Sequence, residues 1–273
     1  MTPSFHIVKR PDLPSSREAA AMDSISLRKH FLVSGLFASG EIRMAETGLE
    51  RMIVGGAIPD RKIGMPDGCA ESREWGVINL GSPGSIQVEG EQWALDYLDC
   101  LYIGAGARDI EFAPCGSAQP VFYLAGCPAH RALPTVKIGK NDAQAESIGD
   151  VRNASRRTLH KCIHPGGAES CQLMLGFTQL EPGSVWNTMP PHTHAKRSEI
   201  YLYSGLGNGV AVHLMGEPDR TRSLIVRDLE AVLSPPWSIH TAAGTSSYLF
   251  VWCMAGENQI FGDMDMVDLR RLY

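Results

Sequence analysis

The sequence predicts an all-β protein made of two antiparallel halves, and three observations carry that expectation. Short apolar runs broken by Gly, Pro or Asp recur after about residue 50, the texture of a sandwich or barrel. A polar stretch follows, and the same texture resumes near residue 156. Nowhere do strands alternate with the long amphipathic segments that crossover helices of a parallel sheet need.

In chain order, residues 15–33 read as helical: Ser15 and Ser16 can cap, and Leu27, Phe31 and Leu32 extend an apolar stripe. Residues 1–50 are therefore expected to form an N-terminal helical arm. Strands are expected at 51–54, 75–80, 85–88, 100–103 and 121–124, giving a first barrel over 51–135. Residues 136–155, with Lys137, Lys140, Asn141, Asp142, Gln144 and Glu146, read as a linker. A second barrel over 156–273 takes strands near 158–163, 171–177, 199–203, 210–215, 223–226, 231–233 and 247–254. The halves look like diverged copies, since 98–103 and 228–233 each pass from an acidic bend into an apolar strand.

Composition excludes several classes of function. Of 273 residues, 44% are hydrophobic and 20% charged, enough for a substantial core and unlike a disordered chain. A formal net charge of -5 gives no electrostatic grip on nucleic acid or an anionic membrane. No apolar run approaches the roughly 20 residues that span a bilayer. Seven cysteines without a CxxC pair read as reduced thiols, and residues 1–6 lack the order of a secretory signal. A cytoplasmic enzyme acting on a small molecule is expected.

The chemistry concentrates near the C-terminal end. Pro190-Pro191-His192-Thr193-His194 places two imidazoles at alternate positions, which share one face of a strand. Glu199 lies an odd number of residues beyond His194, so it reaches the same cavity only after a bend, and residues 195–198 can supply one. His240, after the Pro-rich 234–239 segment, adds a third imidazole. Three imidazoles and a carboxylate suit zinc, manganese, iron, copper or nickel.

Longer words carry a resemblance. Residues 183–205 are similar to the first cupin motif, and 234–240 to the second. Cys171-Gln172-Leu173, Leu180-Glu181-Pro182-Gly183, Trp186-Asn187-Thr188-Met189-Pro190 and Ser234-Pro235-Pro236-Trp237-Ser238-Ile239-His240 resemble the 5-keto-4-deoxyuronate isomerase family of the cupin superfamily. So do Arg51-Met52-Ile53-Val54-Gly55-Gly56 and Arg73-Glu74-Trp75-Gly76-Val77-Ile78-Asn79 in the first half, and Gly256-Glu257-Asn258-Gln259 near the end. The resemblance implies a two-cupin (bicupin) jelly-roll architecture and one Zn2+ per subunit held by His192, His194, Glu199 and His240. It also implies a homohexamer in the cytoplasm and a role in pectin degradation. The implied reaction isomerises 5-dehydro-4-deoxy-D-glucuronate to 3-deoxy-D-glycero-2,5-hexodiulosonate.

Such an aldose–ketose isomerisation needs a Lewis acid on the carbonyl and a group that moves a proton between adjacent carbons. Tyr201 and Tyr203 share the strand face of Glu199, and Glu257 stands in the turn after the 247–254 run. Tyr201 and Glu257 are the candidate proton-transfer groups. The substrate carboxylate calls for a cation, and Arg156, with Arg157 beside it, and Lys161 are placed to supply one. Trp186 is a candidate wall of the cavity. The same four ligands would equally serve an iron or copper dioxygenase, or a non-catalytic sugar-binding cupin.

Overall fold

The computed structural model describes residues 5–10, 12–257, 260 and 262–273, which leaves Asn258 and Gln259 of the Gly256–Gln259 word outside the described residues. The chain divides into two compact units: Met1–Arg10, Gly35–Gln144 and Cys162–Leu175 form one, and Pro11–Ser34, Ala145–Lys161 and Gly176–Tyr273 the other. The all-β expectation holds for both.

The first unit has a seven-stranded sheet in the order Phe5–Lys9, Ile42–Glu46, Ile53–Ala57, Phe122–Pro128, Arg73–Asn79, Cys100–Ile103, Val136–Ile138. A four-stranded sheet of Ile63–Gly64, Glu111–Pro114, Gly84–Val88 and Glu91–Leu95 shares its core. Alternate residues of both sheets, among them Trp75, Val77, Leu101 and Ile103 from one and Ile86, Leu95 and Phe112 from the other, make one buried cluster. Glu74 points away from that cluster and is fully buried. It accepts backbone N–H bonds from Cys171, Gln172 and Leu173 at 2.7–2.8 Å and the Tyr102 hydroxyl at 2.7 Å. Burial and the Glu74 charge push the Tyr102 hydroxyl well above its usual range.

The second unit repeats the plan. Its large sheet runs Gln144–Ile148, Arg157–Ile163, Met174–Leu180, Leu249–Gly256, Arg197–Ser204, Ala231–Ser234, Leu32–Val33. Arg222–Val226, Ala211–Met215 and Thr241–Gly244 form a smaller sheet. The kinship of the halves is sharpest in one turn. Leu98 and Leu229, both at positive φ (68° and 58°), donate to the carbonyls of Asn79 and Tyr203 at 2.7 and 2.8 Å. Asn79 and Tyr203 in turn donate to Asp99 and Glu230, each at 3.1 Å. Four residues before Asn79 lies Trp75; four before Tyr203 lies Glu199. In the first unit that interior position is filled by an indole packed over Gly126, where an added Cβ would stand 2.6 Å from the ring. In the second it holds a carboxylate.

Two expectations about organisation change. Residues 1–50 are not a helical arm. Phe5–Lys9 and Ile42–Glu46 pair as parallel strands of the first unit, and among the described residues of this stretch only Ser16–Ala21 and Ser24–Phe31 are helical. One helix becomes two because Asp23 accepts the Ser26 N–H at 2.7 Å and starts a second cap. Nor is 136–155 a linker, since it holds the Val136–Ile138 and Gln144–Ile148 strands. Gln144–Ile148 is an edge strand with four exposed residues, so it carries no apolar signal.

Candidate metal centre

His192 sits on the short His192–Thr193 strand, paired with Asp265–Met266. Ala195 and Lys196 form the required bend, and the Arg197–Ser204 strand begins at once. Period-two alternation then puts Arg197, Glu199, Tyr201 and Tyr203 on one face. Across the ladder Glu199 opposes Ser234, whose hydroxyl lies 3.2 Å from His240 Nδ1. His240 follows the turn closed by the Ser238 N–H on the Pro235 carbonyl at 2.9 Å.

The four side chains converge. One donor atom from each of His192, His194, Glu199 and His240 lies within 4.8 Å of the other three, and all four residues are buried. His240 Nε2 is 3.0 Å from His192 Nε2, and His194 Nε2 is 2.5 Å from Glu199 Oε1. His194 Nε2 is buried with that carboxylate oxygen as its close neighbour. The far ring nitrogens are occupied. His194 Nδ1 donates to the Asp263 carbonyl at 2.6 Å, and His192 bonds the Pro190 carbonyl. Holding the back of each ring fixes the tautomer that leaves Nε2 lone pairs facing inward.

Electrostatics puts the cluster in ligand form. Burial, then His240, lowers His192 to about 3. Burial lowers His240 to about 4. Burial would raise Glu199, but the neighbouring His240, His194 and His192 outweigh it and hold the carboxyl well below the usual range. His194 is the exception: burial opposes its charge, yet Glu199 raises it. Two neutral imidazoles and a third in close contact with an ionised carboxylate, with one donor atom of each converging, fit a divalent metal ion.

The site opens into a cavity of about 230 Å³, below the roughly 300–1,000 Å³ of drug-sized ligand sites and suited to a small molecule. Alternate residues Phe250, Trp252 and Met254 wall it, with Met264 and Met266 from the C-terminal segment. Tyr201 lines it too, its hydroxyl 3.2 Å from Thr188 Oγ1 and bonded toward Glu199. Burial and that carboxylate push the phenol well above its usual range, so it is a neutral donor.

Comparison with known proteins places the chain. The KduI/IolB family pattern matches residues 65–269. The chain belongs to the KduI/IolB family. A protein of Opitutus terrae named 4-deoxy-L-threo-5-hexosulose-uronate ketol-isomerase is 46% identical over 95% of this chain and 97% of its own length. One of the same name from Kineococcus radiotolerans is 44% identical, over 94% and 97%. Among solved structures, an IolB-like protein of Salmonella typhimurium superposes with a TM-score of 0.65 at 14% identity, covering 79% of this chain and 86% of that one. Oxalate decarboxylase of Lactobacillus farciminis gives 0.57 at 11%, covering 81% and 80%. At such identities these two attest the fold alone.

The structure brings the four candidate ligands and Tyr201 together and sets the other candidates apart. Glu257 is 78% exposed and pairs with Lys196 at 3.0 Å, outside the cavity wall. Arg156 is half exposed and pairs with Glu181 at 3.1 Å, outside the cavity wall. Lys161 faces Glu146 at 3.5 Å, and Trp186 lines a neighbouring groove with Asp150 and Leu214. Tyr203 turns its hydroxyl to His213 Nδ1 at 2.6 Å, beneath the site. Of the two adjacent arginines read from the sequence it is Arg157, not Arg156, that is buried in the cavity wall; the residue missed is Arg197, buried in the same wall. For Arg197 a signal existed: it shares the odd-numbered face of Glu199.

Proposed function

We propose that this protein is a metal-dependent aldose–ketose isomerase that converts 5-dehydro-4-deoxy-D-glucuronate to 3-deoxy-D-glycero-2,5-hexodiulosonate, as the names of its relatives indicate. The observation that carries the reading is the buried cluster of three imidazoles and one carboxylate facing a small cavity beside a protonated tyrosine. His192, His194, Glu199 and His240 are the residues that hold the ion, proposed as zinc, one per chain. A divalent ion there supplies Lewis-acid polarisation of a substrate carbonyl, which acidifies the adjacent C–H. Tyr201 holds a proton at its hydroxyl, oriented by Thr188, and passes it to the developing alkoxide while the apolar wall of Phe250, Trp252 and Met254 keeps water out. The reading places the enzyme in the cytoplasm, supported by seven cysteines none of which forms a disulfide. A homohexamer is proposed on family resemblance.

The test is to incubate purified protein with the keto-uronate and follow the carbonyl by 13C NMR, with metal analysis of the same sample. Loss of the aldehyde and gain of a ketone, without oxygen or nicotinamide and abolished by chelation, is expected. Unchanged substrate, or consumption of oxygen, would overturn the reading, the latter in favour of a dioxygenase.

A further inference from the structure

The substrate class just proposed is an anion, and the cavity contains a cation whose role the metal cluster does not explain. Arg157 begins the Arg157–Ile163 strand, is 6% exposed and lines the same cavity as His192, His194, Glu199 and Tyr201. Its Nη1 donates to the Ser155 carbonyl at 2.7 Å and its Nη2 to the Met189 carbonyl at 3.1 Å. A guanidinium has about five N–H donors, so these two bonds aim the group and leave donors to spare. Among the described residues no carboxylate stands within ion-pair distance of it. A buried charge without a counter-ion is costly unless a ligand completes it.

The other cations near the cavity are committed. Arg156 pairs with Glu181 and Lys161 with Glu146. Arg197 donates to the carbonyls of Ile260 and Asp263, both at 2.9 Å, and stands 3.0 Å from His194 Nδ1, behind a proposed ligand. Glu146, the second carboxylate of the cavity wall, is opposed by Lys161. Arg157 also lies three strands along the sheet from the Arg197–Ser204 strand, about 14 Å between backbones at about 4.8 Å per strand. Arg157 and the histidine–carboxylate cluster therefore stand on separate strands.

We infer that Arg157 binds the carboxylate of the substrate, fixing which end of the molecule meets the metal cluster and making the enzyme selective for uronates over neutral sugars. The inference rests on the proposed isomerase reading for the identity of the substrate, though not for the binding of an acid. A bidentate guanidinium–carboxylate pair in a buried site gives both affinity and orientation.

The test uses the holoenzyme and the variants Arg157→Gln and Arg157→Lys. Two substrates are compared, the keto-uronate and its neutral analogue with a hydroxymethyl group in place of the carboxylate. Arg157→Gln is expected to lower kcat/KM for the uronate roughly 100-fold, chiefly through KM, and to change the neutral analogue by less than about threefold. Arg157→Lys should recover part of the loss, with metal content unchanged in both. Equal losses on both substrates would mean that Arg157 only supports the fold, and would overturn the inference. Calorimetry with a non-isomerisable hexuronate separates the two readings. If wild type binds it and Arg157→Gln binds at least about 30-fold more weakly, the anchor stands even where no isomerisation is seen. Equal binding by both removes the anchor and leaves the isomerase intact.

Discussion

Tyr201→Phe isolates the proposed proton carrier with little else disturbed. The ring packs 5.0 Å from Phe250 and 5.2 Å from His240, centroid to centroid, and phenylalanine preserves both contacts. What disappears is a hydroxyl bonded to Thr188 Oγ1 at 3.2 Å and turned toward Glu199. A hydrogen bond to a charged group contributes about 1.5–3 kcal/mol, so the melting temperature should drop by no more than about 10 degrees. General acid–base catalysis is worth about 10²–10⁴ in rate, which is about 2.7–5.4 kcal/mol of barrier. The variant should thus lose at least about 100-fold in kcat while KM and metal content stay within about twofold. Steady-state kinetics by the NMR or a coupled assay, with metal analysis on the same preparation, measures all three. A kcat within about threefold of wild type, with metal retained, would refute the assignment. The phenol is also held well above its usual range by burial and by Glu199, so its neutral form persists on the alkaline side. The kcat–pH profile should therefore show no falling limb from Tyr201 up to about pH 10.

Three other outcomes are expected. Glu257→Ala should leave kcat within about twofold and stability within about 1 kcal/mol, because an exposed ion pair with Lys196 contributes about 0–1 kcal/mol; a hundredfold loss would return Glu257 to the mechanism. Glu74→Ala should lower stability by at least about 3 kcal/mol in urea titration, taking about 1 kcal/mol for each of three orphaned backbone N–H groups; a loss under about 1 kcal/mol would show that water replaces the carboxylate. Burial lowers His213 to about 3, so the unfolded chain takes up its proton first as pH falls below about 6.5, and stability is lost from there downward. Between pH 7 and 5 that loss is about 2 kcal/mol, and His213→Gln should flatten the pH dependence by this amount; parallel curves for the two proteins would contradict it.

Three of the four candidate ligands were legible in the sequence because they are local, and His240 joins them through the pairing of Glu199 with Ser234. Period-two alternation and one bend bring His192, His194 and Glu199 together within eight residues, and the same alternation carries Tyr201 into the cavity. The strands with an apolar face were legible for the same reason, and Cys100–Ile103 falls where its apolar run lies. Edge strands such as Gln144–Ile148 were not, because an exposed strand is stabilised by pairing with its neighbour and leaves no periodic trace in its side chains.

What only the tertiary structure decided is which of two adjacent, chemically equal residues faces inward. Arg156 and Arg157 are neighbours at the entrance of the Arg157–Ile163 strand, and the register in which that strand joins its sheet leaves one on Glu181 and the other in the cavity. The same holds for the two halves. Their strand pattern is shared and readable, but that Trp75 fills the interior place which Glu199 occupies in the second unit depends on packing across each barrel. Short-range alternation determined the residues that could make a metal site; long-range register determined what surrounds it.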